Sequence, residues 1–264
     1  SGSATLTSSN DSQINLADNL AIDVSANGGN AVGEGPTFGG SATAGNITLS
    51  AVDEGAVTVD GTTTLFADTN TQMGGAGNTG GFAAGGFINV IGDGGILTLR
   101  GLVQAFAIAR GGSAYSDGNG DGGDADGGGA FIDVFSGGII GMDAGAQLYS
   151  DAFGGTGVQA GGNAFGGTSF VSVQEGSTIT SSADLLVQAQ GFGGNGEDGG
   201  NGTGVQGHAG LFPFDIRCGA PAPIPAFMIW RDSGAAAGTA IRAGDSQTTI
   251  GIPDPGFHTY EFRG

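Results

Sequence analysis

The chain contains no lysine, and its side-chain positive charge is confined to six arginines. There are 25 acidic residues, so the formal net charge is −19. A polyanion of this kind is repelled by phosphate backbones and by anionic lipid surfaces. The sequence therefore predicts no nucleic-acid partner and no membrane insertion, whereas cations remain possible ligands.

Cysteine and long apolar runs are also scarce. The single cysteine, Cys218, excludes a disulfide within the chain. No apolar run reaches the length of a transmembrane helix, about 18 residues. No secretory signal peptide is visible and the chain opens at Ser1, which predicts a mature or excised piece of a protein. No segment keeps the 3.6-residue period of an amphipathic helix, so an all-helical fold is excluded.

Glycine, by contrast, is abundant: it supplies 59 of 264 residues, more than three times its usual share of about 7%. The glycines form long tracts that alternate with groups of short apolar couplets. The first couplet of each group recurs after about 41 residues, at Ala4/Leu6, Ile47/Leu49, Ile88/Val90, Ile132/Val134 and Val171/Val173. A repeat of this length predicts stacked units that bury their apolar faces against one another.

Each unit contains three couplets with apolar residues at alternate positions, the pattern of a strand with one buried face. In the second unit these are Ile47/Leu49, Val57/Val59 and Leu65/Ala67. Glycine-rich tetrads between the first and second couplets are typical of turns with positive φ. We therefore predict an all-β fold, a parallel β-solenoid with three short strands per repeat. An antiparallel sandwich would not explain why a glycine tract follows every third strand.

The glycine tracts have a period of their own. They cover approximately residues 27–45, 71–86, 110–129, 153–167 and 190–210, and many of their glycines lie three apart, as at Gly193, Gly196, Gly199 and Gly202. Three residues per turn is the repeat of the polyproline II helix, and residues without bulk on one face let such segments approach closely. One interpretation is therefore ordered, extended segments stacked beside the strands. Flexible loops are the alternative.

The third tract is acidic. Asp117, Asp121, Asp124 and Asp126 fall within ten residues, and glycine-rich acidic turns can supply the six to eight oxygens that calcium needs. The tract partly resembles the calcium-binding nonapeptide of secreted β-rolls, although the tandem order of that motif is not reproduced. A calcium site and a solvated acidic loop are both compatible with these residues.

Catalytic groups are sparse in the repeats. Paired carboxylates can cleave glycosides, but Arg100 and Arg110 are the only basic residues before His208. We therefore predict that the chain is not an enzyme and needs no catalytic cofactor. A carbohydrate-active β-helix enzyme is the least favoured of the functional hypotheses.

Three threonines, Thr48, Thr58 and Thr98, suggest an outward ladder of the kind that ice-binding solenoids use. In the fourth unit Asp133, and in the fifth Ser172 or Gln174, stand where a regular ladder would continue. This interruption disfavours ice binding.

The composition changes near residue 211, so we predict a repeat domain over residues 1–210 and an atypical segment over 211–264. Six of the seven prolines and the only tryptophan lie from Pro213 onward. Phe212, Phe214 and Ile216 fall where a sixth first strand is due, after which the pattern stops. A solenoid needs a cap over its last open edge, and this segment is the candidate.

The same segment has a second interpretation, in which it docks on the next copy of the protein. Head-to-tail contacts that do not close generate fibres. The apolar residues predicted to serve such assembly are Phe227, Ile229, Trp230, Tyr260 and Phe262.

The units, as in 45–59 and 129–138, resemble the glycine-rich strand repeats of large bacterial surface proteins, the autotransporter and filamentous-haemagglutinin-like adhesins. The resemblance covers roughly residues 1–210. It implies a secreted right-handed β-helix at the bacterial surface, an adhesin stalk or fibre subunit whose partners are other copies of itself or host and surface glycans. A calcium-binding module is the alternative function.

Overall fold

The computed structural model describes residues 2–31, 38–69, 79–114, 120–174, 176–209, 214–217 and 229–233. Within these ranges every regular element is a strand and no helix occurs. The first coil contains β1 (Ser3–Ser8), β2 (Gln13–Leu16) and β3 (Leu20–Asp23); the second contains β4 (Ala42–Thr43), β5 (Asn46–Val52), β6 (Ala56–Val59) and β7 (Thr63–Phe66).

Each of the remaining three coils contains an additional two-residue strand after its third long strand. The third contains β8 (Ala83–Ala84), β9 (Phe87–Asp93), β10 (Ile96–Leu99), β11 (Val103–Phe106) and β12 (Ala109–Arg110). The fourth contains β13 (Ala125–Asp126), β14 (Gly129–Phe135), β15 (Ile139–Met142), β16 (Ala146–Tyr149) and β17 (Ala152–Phe153). The fifth contains β18 (Ala164–Phe165), β19 (Thr168–Val173), β20 (Thr178–Ser181), β21 (Leu185–Ala189) and β22 (Gly191–Phe192). Three strands follow the fifth coil: β23 (Gly202–Ala209), β24 (Phe214–Arg217) and β25 (Ile229–Ser233).

Equivalent strands of successive coils pair in parallel, which confirms the predicted parallel β-solenoid. Sheet I consists of β1, β5, β9, β14 and β19; sheet II of β2, β6, β10, β15 and β20; sheet III of β3, β7, β11, β16 and β21. Two narrow stacks lie outside this triangle: an outgoing stack of β12, β17 and β22, and a returning stack of β4, β8, β13 and β18. The two narrow stacks run through the glycine tracts, where the sequence predicted no strands.

The core is a set of apolar ladders inside the triangle. Alternate residues of the three sheets point inward, and those of coils two to four are almost completely buried, as Ile47, Leu97 and Leu148 illustrate. In the first coil the corresponding residues, such as Leu6 and Ile14, are only partly buried, because no described strand lies over them. Each coil therefore depends on a neighbour for its burial.

One predicted equivalence between the third and fourth coils is wrong by two residues. Sheet I pairs Ile88 with Ala130 and Val90 with Ile132, whereas the couplets suggested Ile88 opposite Ile132. Side chains of a strand alternate between faces with a period of two, so a shift of two residues leaves the buried face unchanged. The apolar pattern therefore cannot distinguish the two registers.

The predicted sixth first strand is also wrong. Phe214 and Ile216 lie in β24, which joins sheet II rather than sheet I and runs antiparallel to β20; Phe212 lies outside the described residues. The chain has already reversed in β23, which pairs antiparallel with β21. The reversal covers the last strands of sheets II and III, as the interpretation of a cap requires.

The described parts of each glycine tract form two segments: an outgoing leg, which follows the strand of sheet III, and a returning leg, which leads to sheet I. The legs of successive coils stack and hydrogen-bond to one another. A line of six backbone N–H···O=C bonds, each 2.7–2.8 Å long, crosses between outgoing and returning legs along the stack; it links Gly81, Gly112, Gly123, Gly155, Gly162, Gly194 and Gly200 in that order. Within each stack, further bonds join equivalent residues, such as Ala83 N–H to the Asp124 carbonyl at 3.0 Å. These bonds support ordered segments over flexible loops.

Part of the returning leg follows the three-residue period in its burial. Asp121 and Asp124 are exposed and Gly122, Gly123 and Ala125 are buried, but Asp126 is also exposed, so the period ends at the base of the leg. Five alanines from the two stacks form a separate buried cluster between the legs: Ala83, Ala109, Ala125, Ala152 and Ala164. The legs therefore contact each other through alanine and glycine, whose side chains are a methyl group or a hydrogen atom.

A column of glycines closes the coils at the base of these legs. The N–H of Gly128, just before sheet I, donates to the carbonyl of Ala107 at the end of sheet III, at 2.8 Å. Gly86 and Gly167 make the equivalent bonds in the adjacent coils. A Cβ atom on Gly128 would overlap the carbonyl oxygen of Gly86, and one on Gly167 would overlap that of Gly128. The spacing of the coils thus excludes side chains at this column.

We predict that Gly128→Ala lowers the free energy of unfolding by about 2–3 kcal/mol, because the backbone must move apart to admit the methyl group. Gly141→Ala is the matched control, since the nearest atom to its added Cβ is Thr180 Oγ1 at 3.6 Å. This control should be neutral or up to about 1 kcal/mol more stable. Urea denaturation of both variants measures the difference, and equal stabilities would contradict the close approach.

Candidate functional site

Three of the four predicted calcium ligands lie on the returning leg of the fourth coil; Asp117 is outside the described residues. The Asp121 carboxylate accepts the backbone N–H of Ala160 at 3.2 Å, and the Asp124 carboxylate accepts that of Asn163 at 2.7 Å. Burial, and then the nearby charge of Asp124, raise the pKa of Asp126. The described ranges contain no group of three or more histidine, cysteine or acidic side chains placed to hold a metal ion. The calcium site stays a prediction.

Asparagine side chains occupy the positions equivalent to Asp124 in the coils that follow. In the next coil the Asn163 side-chain oxygen accepts the backbone N–H of Asn201 at 3.2 Å. The same type of bond therefore recurs with a neutral side chain. A side-chain oxygen that braces the next coil accounts for both Asp124 and Asn163 without a metal ion.

A polar cluster that the sequence analysis missed lies in the corner between sheet III and the outgoing legs. Asp68 and Asp151 occupy equivalent positions two coils apart. Arg110, from the coil between them, attracts both carboxylates. Its guanidinium carbon also lies 5.2 Å from the ring centroid of Phe153, a cation–π distance. The only arginine of this corner is thus shared by two acids and an aromatic ring.

Both carboxylates of the corner accept hydrogen bonds from the following coil. Asp68 accepts the backbone N–H of Ile108 at 2.7 Å. Asp151 accepts the backbone N–H of Gln190 at 2.8 Å and the side-chain Nε2 of Gln188 at 2.6 Å. Their chemistry is therefore that of coil-to-coil braces, as at Asp124. A signal exists in the sequence, since each acid follows an aromatic residue by two positions at the end of a third strand.

Burial governs the ionisation of these acids. It raises the pKa of Asp68 to about 6, outweighing the hydrogen bond from Ile108 and the attraction of Arg110, and the charge of Asp23 raises it further. Burial likewise raises the pKa of Asp151. The charged forms are disfavoured because burial removes the carboxylates from water, and the hydrogen bonds and Arg110 offset this only in part.

This shift predicts that the protein is more stable in mild acid. The pKa of Asp68 is about 6 in the fold and 3.8 in a model peptide. Between these pH values the folded protein holds a proton that the unfolded chain has released, so stability falls as pH rises from about 4 to 6. The effect is complete above pH 6.

Asp68→Asn tests this assignment. The amide keeps an oxygen for the Ile108 N–H and cannot ionise. We expect the variant to exceed the parent in unfolding free energy by about 1–2 kcal/mol at pH 8, after allowance for partial solvent exposure, and to match it at pH 4. Urea denaturation at the two pH values measures this. A difference that does not change with pH would contradict the elevated pKa.

Aromatic residues form columns on two of the outer faces. On sheet III, Phe66, Phe106 and Tyr149 stack with ring centroids 5.3 Å apart and interplanar angles of 12° and 1°. Because these rings cover each other's faces, they act chiefly as ladders that join coils. On sheet I, Phe87 and Phe131 converge where a Cβ of Gly129 would lie, and Phe87 is half exposed.

The two ends of the solenoid differ. At the first coil β1, β2 and β3 each pair on one side only among the described strands. At the last coil β25 pairs with β23, which brings the backbones of Ile229 and Trp230 opposite His208 and Gly207. Of the other predicted assembly residues, Phe227, Tyr260 and Phe262 lie outside the described residues.

The predicted threonine ladder is divided between two sheets. Thr48 lies on sheet I, opposite Thr5 and Asn89, whereas Thr58 and Thr98 are opposite each other on sheet II. Asp133 and Ser172, two of the residues that were expected to interrupt the ladder, lie on sheet I. They therefore do not interrupt the row that contains Thr58 and Thr98.

Comparisons with protein-family models, with curated proteins and with solved structures give no match. In the part of the chain that the structure describes, no helix is long and apolar enough to cross a membrane. Any functional assignment consequently depends on the geometry of this chain alone.

Proposed function

We propose that the protein is a non-enzymatic structural or adhesive component of the bacterial cell surface, the stalk of an adhesin or a subunit of an extracellular fibre. The observation that carries this proposal is the asymmetry of the two ends. One end presents three strand edges and half-buried core residues, whereas at the other end antiparallel strands cover the edges of sheets II and III and leave that of sheet I. A body of this kind extends in one direction by adding strands to its open end.

The polar groups support a structural role over a catalytic one. The carboxylates of Asp68, Asp124 and Asp151 each accept a backbone N–H of the next coil. Groups committed to bracing are poorly placed to exchange protons with a substrate. The half-exposed Phe87 on sheet I offers an apolar surface for neutral glycans, which a chain of net charge −19 does not repel.

For assembly we propose that residues 220–264 of one copy dock on the first coil of the next. β25 pairs with β23 on one side, and no described strand pairs with its other side. A free strand edge is a template for a further strand. Copies that carry this much negative charge repel one another at low salt, so end-to-end contact should strengthen with ionic strength.

Leu6→Glu tests the proposal. Leu6 points into the open end of the core, so a carboxylate there should prevent end-to-end stacking while the remaining coils stay folded. Thr5→Glu places the same charge on the outer face of the same strand and is the matched control. Negative-stain microscopy and sedimentation at high salt should show filaments for the parent and Thr5→Glu only.

Removal of residues 220–264 probes the other side of the contact. The truncated chain should lose filaments and keep its β-sheet circular dichroism. Filaments that persist in both the truncation and Leu6→Glu would overturn the proposal, as would a parent protein that stays monomeric at every salt concentration.

A further inference from the structure

From β2 to β20 the outer face of sheet II carries no aromatic ring, whereas the outer faces of sheets I and III do. Its ten outward positions form two rows in register along the stack: Gln13, Ala56, Ile96, Ile139 and Thr178 in one row, and Asn15, Thr58, Thr98, Gly141 and Thr180 in the other. None of the ten is charged, on a chain of net charge −19. Charge returns on both sides of the face: the exposed Asp11 and Glu54 precede it, and Asp60 and Arg100, which form an ion pair at 2.9 Å, follow it.

The hydroxyl groups of this face are not used within the protein. Thr58, Thr98, Thr178 and Thr180 make no side-chain hydrogen bond to any described residue, whereas Thr7 and Ser50 on sheet I bond to each other at 2.8 Å. Each free hydroxyl offers one donor and two acceptor sites to solvent. Because threonine and isoleucine are stiff at χ1, these groups keep a fixed orientation.

The outward side chains of this face, mostly methyl-bearing and hydroxyl-bearing, stand on a regularly spaced backbone. Parallel strands set a repeat of about 4.8 Å along the stack, and alternate residues set one of about 6.6 Å along each strand. All pairings across sheet II are in register and parallel from β2 to β20. The backbone spacing is therefore the same at each coil, and hydroxyl groups recur on it at Thr58, Thr98, Thr178 and Thr180.

The chemistry of the face selects among possible occupants. It has no aromatic ring to stack on a sugar and no charge to recognise an ionic group. Its area, roughly 250 Å² from the strand spacings, is far below the ~800 Å² per partner of a stable protein interface. A second copy is therefore a poor fit. An uncharged, periodic array of hydrogen-bonding molecules fits better.

We propose that the outer face of sheet II binds the surface of ice. The methyl groups of Ile96, Ile139 and the threonines order first-shell water, and the aligned hydroxyls join that water to the lattice. The only break in the threonine row is Gly141, between Thr98 and Thr180. This inference is independent of fibre assembly, which uses the ends of the solenoid and not this face.

The test is partition of the full-length protein into slowly growing ice. Thr98→Lys places an ammonium group at the centre of the face, and ice cannot accept it without loss of its hydration. We expect this variant to lower the ice-bound fraction at least about tenfold. Thr64→Lys, on the outer face of sheet III, is the matched control and should leave the fraction unchanged. Thermal melts of both variants should coincide with that of the parent.

A gain-of-function variant makes the test two-sided. Gly141→Thr completes the interrupted row, and an added Cβ meets no atom nearer than 3.6 Å. We expect a larger ice-bound fraction and stronger inhibition of ice recrystallisation than for the parent. Exclusion of the parent from ice would overturn the proposal, and so would an ice-bound fraction that neither Thr98→Lys nor Gly141→Thr changes. Retention on crystalline cellulose without retention in ice would assign the face to a polysaccharide instead.

Discussion

The coils of this solenoid close because the residue just before each first strand has no side chain. At Gly86, Gly128 and Gly167 the space that a Cβ would fill holds the carbonyl oxygen of the preceding coil. The same residues donate the hydrogen bonds that join the start of sheet I to the end of sheet III. Above this column, outgoing and returning legs alternate and bond to each other as well as to their equivalents. The described parts of the glycine tracts are therefore a hydrogen-bonded structural layer beside the strands.

Polar side chains complete this layer rather than forming a reactive site. Oxygens of Asp68, Asp121, Asp124 and Asp151 take up backbone N–H groups of the following coil, as Asn163 does with an amide. Buried backbone donors need such partners. A high acidic content thus serves the stack directly, although buried carboxylates are disfavoured as anions and make the fold more stable in mild acid. The surfaces proposed for binding are the open first coil, the outer face of sheet I at Phe87 and the uncharged face of sheet II.

The sequence carried enough information for the coil but not for its connections. Alternating apolar residues, as at Ile47 and Leu49, identify strands because burial follows the two-residue period of the backbone. The same period hides the two-residue shift that puts Ala130 opposite Ile88. The direction of β24 was also hidden, because alternation reads the same in parallel and antiparallel strands. Asp68 and Asp151 each follow an aromatic residue by two positions, but the corner they share with Arg110 forms only when the coils stack in register.

The central claim, that the glycine legs form a hydrogen-bonded layer, is tested most directly by amide hydrogen exchange. Gly112, Gly123, Gly155 and Gly162 each donate an N–H to a neighbouring leg. The account predicts that these amides exchange as slowly as those of sheet I, because opening them requires coils to separate. Exchange at the rate of an unfolded chain at these four positions, with sheet I still protected, would contradict it.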